Sequence, residues 1–371
     1  MGELWVVLAV SCGLAYVSEK YTLSWNKHGD RILDNGIVLL LILYLSLFAG
    51  LRTGYNDTFT YVSGYNRIAP FPDILAGISW KLGNNPGFML VNSLLKAAGA
   101  RGQTFVLFYS TLFISVTICF LKRYSKSFTL SVFLFVCVNG FLFSMAAIKQ
   151  CTAIAIGLLA IPLIQKRRWI IYALLIFLAS TFHPYVLMFL IIPFLSFRPW
   201  SGNTWVLFAL TALSARFLPR IIGTAVDVAA LLGDGYDAEA FIGEGVNIFR
   251  VLVTSVPILL TLVFRRNVVN KKTAMIDYIF INLSFVYACI MFIGLFGTAN
   301  YFGRLANYFV VFPAIALPFI IKRLSRNDKR FFTIGMIIGY LAFFYYGNGI
   351  SYSFENAFSR VTLWQYLQAG M

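Results

Sequence analysis

LRTGYNDTFTYVSGYN, residues 51–66, closes one long apolar run and opens a polar passage. Arg52, Asp57 and Tyr61 stand where hydrocarbon gives way to water. A short helix capped by Asn56 or Asp57 puts Asp57, Tyr61 and Tyr65 on one face at i, i+4 and i+8. Asp57 then has two readings: a plain helix cap, or a carboxylate held where chemistry is done. The residues that the rest of the chain brings to the same boundary decide between them.

A soluble domain carries charge on about a quarter of its residues. This chain of 371 residues is 12% charged, 60% hydrophobic and 17% aromatic, so it is an all-α, polytopic membrane protein by expectation. Its 30 Lys and Arg outnumber 14 Asp and Glu, but they stand in short clusters between apolar runs, where they orient helices. No nucleic-acid motif is present, and no nucleic-acid partner is expected. Cys12, Cys119, Cys137, Cys151 and Cys289 lie in or beside apolar stretches without metal-ligand spacing and read as small core residues. No metal and no cofactor are expected. The first apolar run follows Glu3 without a basic leader or a small-residue cleavage site, so no cleavable signal is expected.

At about 20 apolar residues per crossing, the chain offers about twelve spans. They fall near 4–18, 33–51, 103–121, 127–146, 150–164, 169–182, 184–197, 203–219, 247–264, 275–297, 305–321 and 331–347. One polytopic domain thus covers 1–371, with extracytoplasmic loops at 52–102, carrying short helices, and at 220–246. Residues 85–100 form an amphipathic or re-entrant helix after Pro86, residues 227–244 an acidic loop, and the tail from Asn348 an amphiphilic segment suited to the interface.

Basic clusters set the orientation. Lys122, Arg123 and Lys126, then Lys166–Arg168, Arg265–Lys272 and Lys322–Arg330, collect with Lys20, Lys27 and Arg31 on one face, the cytoplasmic one. Both termini then point outward. Residues 169–197 read as two short spans with a turn at His183, because a single span would carry the Arg265–Lys272 cluster outside.

Under this topology, polar residues from distant segments meet the outer side. Arg52 and Asp57 open the first long loop, Lys149 and Gln150 begin the fifth span, His183 sits at the sixth-to-seventh turn, and Arg304 begins the eleventh. Ionisable groups beside hydrocarbon face a cavity or one another. Guanidinium presents a planar fork of donors matched to phosphate oxygens, so Arg52 with Arg304 makes an anion clamp; the competing reading is an arginine that snorkels to headgroups. Lys149 adds charge or snorkels. His183, before Pro184, either shapes the turn or moves a proton. Asp227, Asp234, Asp237, Glu239 and Glu244 read as solvated loop carboxylates, and Arg216 and Arg220 as rim charges for headgroups. The chain has no Walker lysine motif, dinucleotide fingerprint, HExxH or GxSxG, which leaves ATP use, zinc proteolysis and elbow-serine hydrolysis unsupported.

An LRxGxxDxxxY string at residues 51–61, a basic residue and Gln at 149–150, a histidine at a short outer turn, and YFxRLxxYF at 301–309 together resemble the EpsG family, Wzy-like polymerases of bacterial exopolysaccharide, capsule and O-antigen. The resemblance covers roughly residues 51–312. It implies a multi-span glycosyltransferase of the GT-C type in the bacterial inner membrane, with an outward active site and undecaprenyl-diphosphate-linked oligosaccharides as donor and acceptor. The expected protein partners belong to the polysaccharide export pathway. Carried onto this chain, it points to Arg52, Asp57, Tyr61, Gln150, His183 and Arg304. Two positions depart from the pattern: Lys149 stands where arginine is usual, which loses the bidentate fork, and Asn85 stands where an acidic residue often precedes Pro-Gly-Phe.

The implied reaction is attack by an acceptor sugar hydroxyl on the anomeric carbon of a lipid-diphosphate-linked glycan, with inversion. Asp57 is the expected base, with His183 orienting or replacing it; Arg52 and Arg304 are the clamp, Lys149 adds charge, and Gln150 bonds a phosphate or sugar oxygen. Tyr55, Tyr61, Tyr65, Phe71 and Trp80 are candidates for stacking on sugar faces. A lipid-linked oligosaccharide flippase would need a cationic cavity open to both faces and no base. An O-antigen ligase would use the same chemistry on another acceptor. A membrane acyltransferase would need a stronger histidine-centred motif.

Overall fold

The computed structural model describes residues 1–24, 31–231, 244–270, 272–350 and 359–369. Lys27, His28, Lys271 and the loop carboxylates Asp234, Asp237 and Glu239 lie outside the described residues. Among the described residues the structure is helical, and β pairing is confined to one isolated antiparallel bridge between Arg52 and Arg360.

α1 (Gly2–Ser24) and α2 (Arg31–Gly50) pack together. The polar passage that follows carries α3 (Thr58–Arg67) and α4 (Pro86–Ala97), and α5 (Gly102–Tyr124) then returns along α2. The α2–α5 crossing is close: a Cβ at Gly50 would lie 2.8 Å from the Leu107 Cα, so glycine is required there. The expected 127–146 span is instead α6 (Phe128–Cys137) and α7 (Gly140–Ala146), bent by 51°. Between them Asn139 takes φ 66, a left-handed conformation through which a right-handed helix does not run.

α8 (Ile148–Gln165) and α9 (Trp169–Ser180) are followed by a 3-10 segment, Pro184–Ser196. The Tyr172 hydroxyl donates to the Phe189 carbonyl at 2.5 Å, so the chain doubles back at His183 as two paired apolar segments. α10 (Gly202–Arg216) and α11 (Leu218–Leu231) come next. The 247–264 run forms α12 (Ile248–Thr254) and α13 (Val256–Val263), divided at Ser255 ahead of Pro257, and α14 (Arg265–Val268) follows. α15 (Met275–Ile293) is the best buried of the long helices and touches the 3-10 segment, α10, α12, α13, α16 (Ala299–Ala306) and α17 (Pro313–Lys322). Its Asn282 donates to the Leu195 and Phe197 carbonyls, both at 2.8 Å, supplying donors to the end of the 3-10 segment. α18 (Arg326–Tyr345) and the short α19 (Leu363–Ala369) complete the order.

Large apolar side chains cover the outside: Ile170 and Phe194 are 77% exposed and Phe331 71%. Such a surface belongs against lipid, and helices are the elements that satisfy their own backbone there. The chain is an all-α membrane protein. Five helices among the described residues are long and apolar enough to cross, or up to eight if each bent pair is one span. The difference from about twelve uninterrupted runs lies in breaks such as Asn139 and in segments of 10–17 residues such as Trp169–Ser180.

The bundle has two chemically different ends. At one, Lys122 meets Asp34 at 2.8 Å and Ser18 at 2.7 Å, and Tyr124 reaches Gln165 at 3.1 Å. At the other, Gln103 donates to the Gly50 carbonyl at 2.6 Å, and Gln150 to that of Arg304, also at 2.6 Å. α2, α5 and α8 each run from one end to the other, which separates basic clusters from site residues by the length of a helix.

Candidate active site

The loop from Arg52 to Thr58 is built around a buried guanidinium. Arg52 is fully buried, and it donates through Nε to Thr58 Oγ1 at 3.0 Å, and through Nη1 to Ser110 Oγ at 2.9 Å and to the Ala49 carbonyl. Burial lowers its pKa to about 10, so it keeps its charge at neutral pH. Gln103 binds the Arg52 carbonyl at 3.0 Å, and the Thr58 hydroxyl binds that of Tyr55 at 2.6 Å. Held from both sides, Tyr55 and Asn56 sit at φ 107 and φ 48, conformations that side chains other than glycine rarely adopt. That turn delivers Asp57 to the cavity.

Asp57 precedes α3 but makes no side-chain cap bond. Its carboxylate instead lies 4.0 Å from the Arg304 guanidinium, both side chains about half exposed. A pair this loose and wet contributes at most about 1 kcal/mol, so opening it to admit a ligand costs little.

α16 carries Arg304. Thr298 caps its first turn through Asn300 N, Phe302 and Ala306 bury themselves in the bundle, and Tyr301, Arg304 and Leu305 line the cavity. The next turn brings Tyr308, whose hydroxyl meets His183 Nδ1 at 2.5 Å. The His183 turn is held by α4. The Gly87 amide donates to the Thr181 carbonyl at 3.0 Å, and a Cβ on Gly87 would collide with Thr181 Oγ1. Burial, reinforced by Lys149 and Arg304, lowers the His183 pKa to about 4, so its imidazole is neutral at physiological pH.

These elements enclose a cavity of about 490 Å³. Among the described residues Asp57 is the only carboxylate on its wall, against Arg304 and Arg250, with His183 and Gln150 beside them and the phenols of Tyr55, Tyr61, Tyr185, Tyr287, Tyr301, Tyr308 and Tyr340 around them. Rings with a polar tip, asparagine amides and a net excess of cation suit a polyhydroxyl ligand carrying negative charge. Among the described residues, no group of three or more His, Cys, Asp or Glu could hold a metal ion.

Of the residues expected from sequence, Asp57, Tyr61, Gln150, His183 and Arg304 line this one cavity. Arg52 does not. It is sealed behind the loop, with its donors turned to Thr58, Ser110 and the Ala49 carbonyl and away from the cavity wall where the clamp was expected. Lys149 is not on the wall either: its Nζ lies 5.5 Å from the Phe88 ring, and its charge reaches His183. Tyr65, expected beside Tyr61, is turned onto α5, where it stacks on Phe105 at 4.7 Å and bonds the Ala100 carbonyl, while Phe71 and Trp80 are exposed elsewhere. Sequence reasoning missed Arg250 as a wall residue. The signal was a lone arginine inside the apolar stretch NIFRVL. It also missed Tyr301 and Tyr308, at the i−3 and i+4 positions from Arg304.

An all-α membrane protein with a cationic, tyrosine-lined cavity at the end away from its basic clusters has the form of a membrane enzyme or carrier for charged saccharides. The chain belongs to the EpsG family, whose model matches residues 36–358; its members are Wzy-type polysaccharide polymerases. No curated protein and no solved structure gives a significant match to the chain.

Proposed function

We propose that the cavity joins oligosaccharides carried on undecaprenyl diphosphate, with about twelve crossings in a GT-C-like arrangement and the cavity on the outer face of the inner membrane. The acceptor hydroxyl attacks the donor's anomeric carbon and gives its proton to the Asp57 carboxylate. The bond from that carbon to the diphosphate oxygen breaks with inversion, and the lipid diphosphate leaves with the electron pair. Arg304 meets the developing negative charge with a paired fork of donors, and Arg250 takes the place that sequence reasoning gave to Arg52. Gln150 fixes the Arg304 backbone while the neutral His183 holds Tyr308, which leaves Asp57 as the base. The tyrosine rings receive sugar faces.

One observation carries this reading: a carboxylate and two guanidiniums from separate segments share one tyrosine-lined hollow. Family membership supports the polymerase over the flippase, which needs no base. The test is purified protein given a synthetic lipid-diphosphate repeat unit. A ladder of lengthening lipid-linked products is expected; translocation without bond formation overturns the proposal.

A further inference from the structure

We infer that the C-terminal segment 359–369 is a positioning element of the active site, holding the backbone from which Asp57 reaches the cavity. This rests on the reading of Asp57 as the base. The family match ends at residue 358, so the segment lies beyond what membership describes.

The segment lies across the start of the catalytic loop. Thr53 and Gly54 amides both donate to the Ser359 carbonyl, at 2.8 and 3.2 Å, and the Val361 amide returns a bond to Leu51 at 2.9 Å. The Thr53 and Ser359 hydroxyls meet at 2.6 Å. The strap is pinned at its other contacts: Arg360 pairs with Glu3 of α1 at 2.8 Å and lies 4.2 Å over the Phe48 ring of α2. α19 is tied to the start of α5 by Thr104 with Tyr366 at 3.2 Å and by Arg101 with the Ala369 carbonyl at 3.3 Å.

Immediately after the bonded residues come Tyr55 and Asn56 at positive φ, then Asp57. Such residues keep their conformation only while their surroundings over-determine it. Arg52 holds the loop from within, and the strap holds it from without. Gln150, His183, Arg250 and Arg304 come from other elements, so loosening the strap displaces the base and leaves the phosphate contacts in place. The expected signature is a loss of turnover with affinity kept.

Two variants test this, the chain ending at residue 358 and Arg360→Ala, each compared at equal amounts of folded membrane protein. Both should lose kcat by about tenfold with KM for the lipid-linked donor changed by less than about threefold. Adding Thr53→Cys with Ser359→Cys to Arg360→Ala should restore turnover when oxidised and not when reduced. A third measurement is independent of activity: with Cys12→Ala and Cys119→Ala, the thiol of Asn56→Cys in detergent should change its rate of maleimide labelling by about fivefold or more when the strap is removed. Unchanged labelling overturns the inference whatever the activity, as does full turnover in both variants, a KM rise matching the kcat loss, or failure of the disulfide to rescue. If labelling changes in a protein whose parent makes no polymer, the strap stands and the polymerase reading falls.

Discussion

Arg52→Lys separates a substrate contact from a structural support. Arg52 serves three acceptors from one rigid fork: the Ala49 carbonyl, Thr58 Oγ1 and Ser110 Oγ. A lysine keeps the charge but carries it on a single nitrogen at the end of a flexible stem. Placed where Nη1 stands, that nitrogen still reaches the Ala49 carbonyl and Ser110 Oγ, and the bond from Nε to Thr58 Oγ1 is lost. At about 1.5 kcal/mol for a bond to a charged donor, the loss is about 1.5 kcal/mol. That is comparable with the strain of one residue in a sparsely populated conformation, about 1–3 kcal/mol. The loop therefore relaxes, and the fraction of molecules presenting Asp57 falls about tenfold, at about 1.4 kcal/mol per decade. The assay is initial rate of chain extension against donor concentration. The expected result is a fall in kcat of that size with KM little changed, together with normal membrane insertion. Wild-type kcat would refute the support, and a KM rise carrying most of the loss would return Arg52 to the clamp.

Arg304→Ala should cost about a hundredfold or more in kcat/KM, and Arg304→Lys nearly as much, because in the proposed mechanism the paired fork and not the charge alone meets the diphosphate; full activity with Lys rejects bidentate binding. The lowered His183 pKa has a pH consequence. The unfolded imidazole takes up its proton near 6.5 and the folded one only near 4, so between those values the unfolded state binds more protons, and stability falls as pH drops through that window, by up to about 3 kcal/mol. Thermal midpoints in detergent should drop from pH 6.5 to 4, and His183→Gln should flatten that slope. Gly87→Ala sets a methyl against Thr181 and should destabilise by about 1–3 kcal/mol, partly recovered by Thr181→Ala; a neutral effect in urea titration denies the close approach of α4 to the His183 turn.

Apolar runs are legible in this chain because hydrocarbon leaves them little choice: a stretch such as 103–121 has no water to satisfy its backbone and becomes α5. Their interruptions are read less well. Asn139-Gly140 is an ordinary turn dipeptide, yet inside twenty apolar residues it is easily passed over, and it divides α6 from α7 at the wall of the cavity. The i+8 rule for Tyr65 failed for a geometric reason. Eight residues at 100° each overshoot two turns by 80°, enough to carry the ring from the cavity to Phe105.

The two arginines show where sequence reading ends. Arg52 and Arg304 each stand beside an apolar run and near a tyrosine, and residue type alone gives them one role. Folding parts them by burial: Arg304 keeps its side chain about half exposed beside Asp57, whereas Arg52 is closed off by Ala49, Thr58 and Ser110. A sealed guanidinium has spent its donors on protein acceptors and has only Nη2 left without a partner. It therefore holds the turn that carries Asp57, and the second arginine on the cavity wall beside Arg304 is Arg250, which the proposed mechanism sets against the substrate and which comes from an apolar stretch that carries no motif. Turnover measured for Arg250→Gln against Arg52→Lys tests that division: the first should raise KM for the lipid diphosphate together with lowering kcat, the second should lower kcat alone, and an exchange of those two patterns would reverse the assignment.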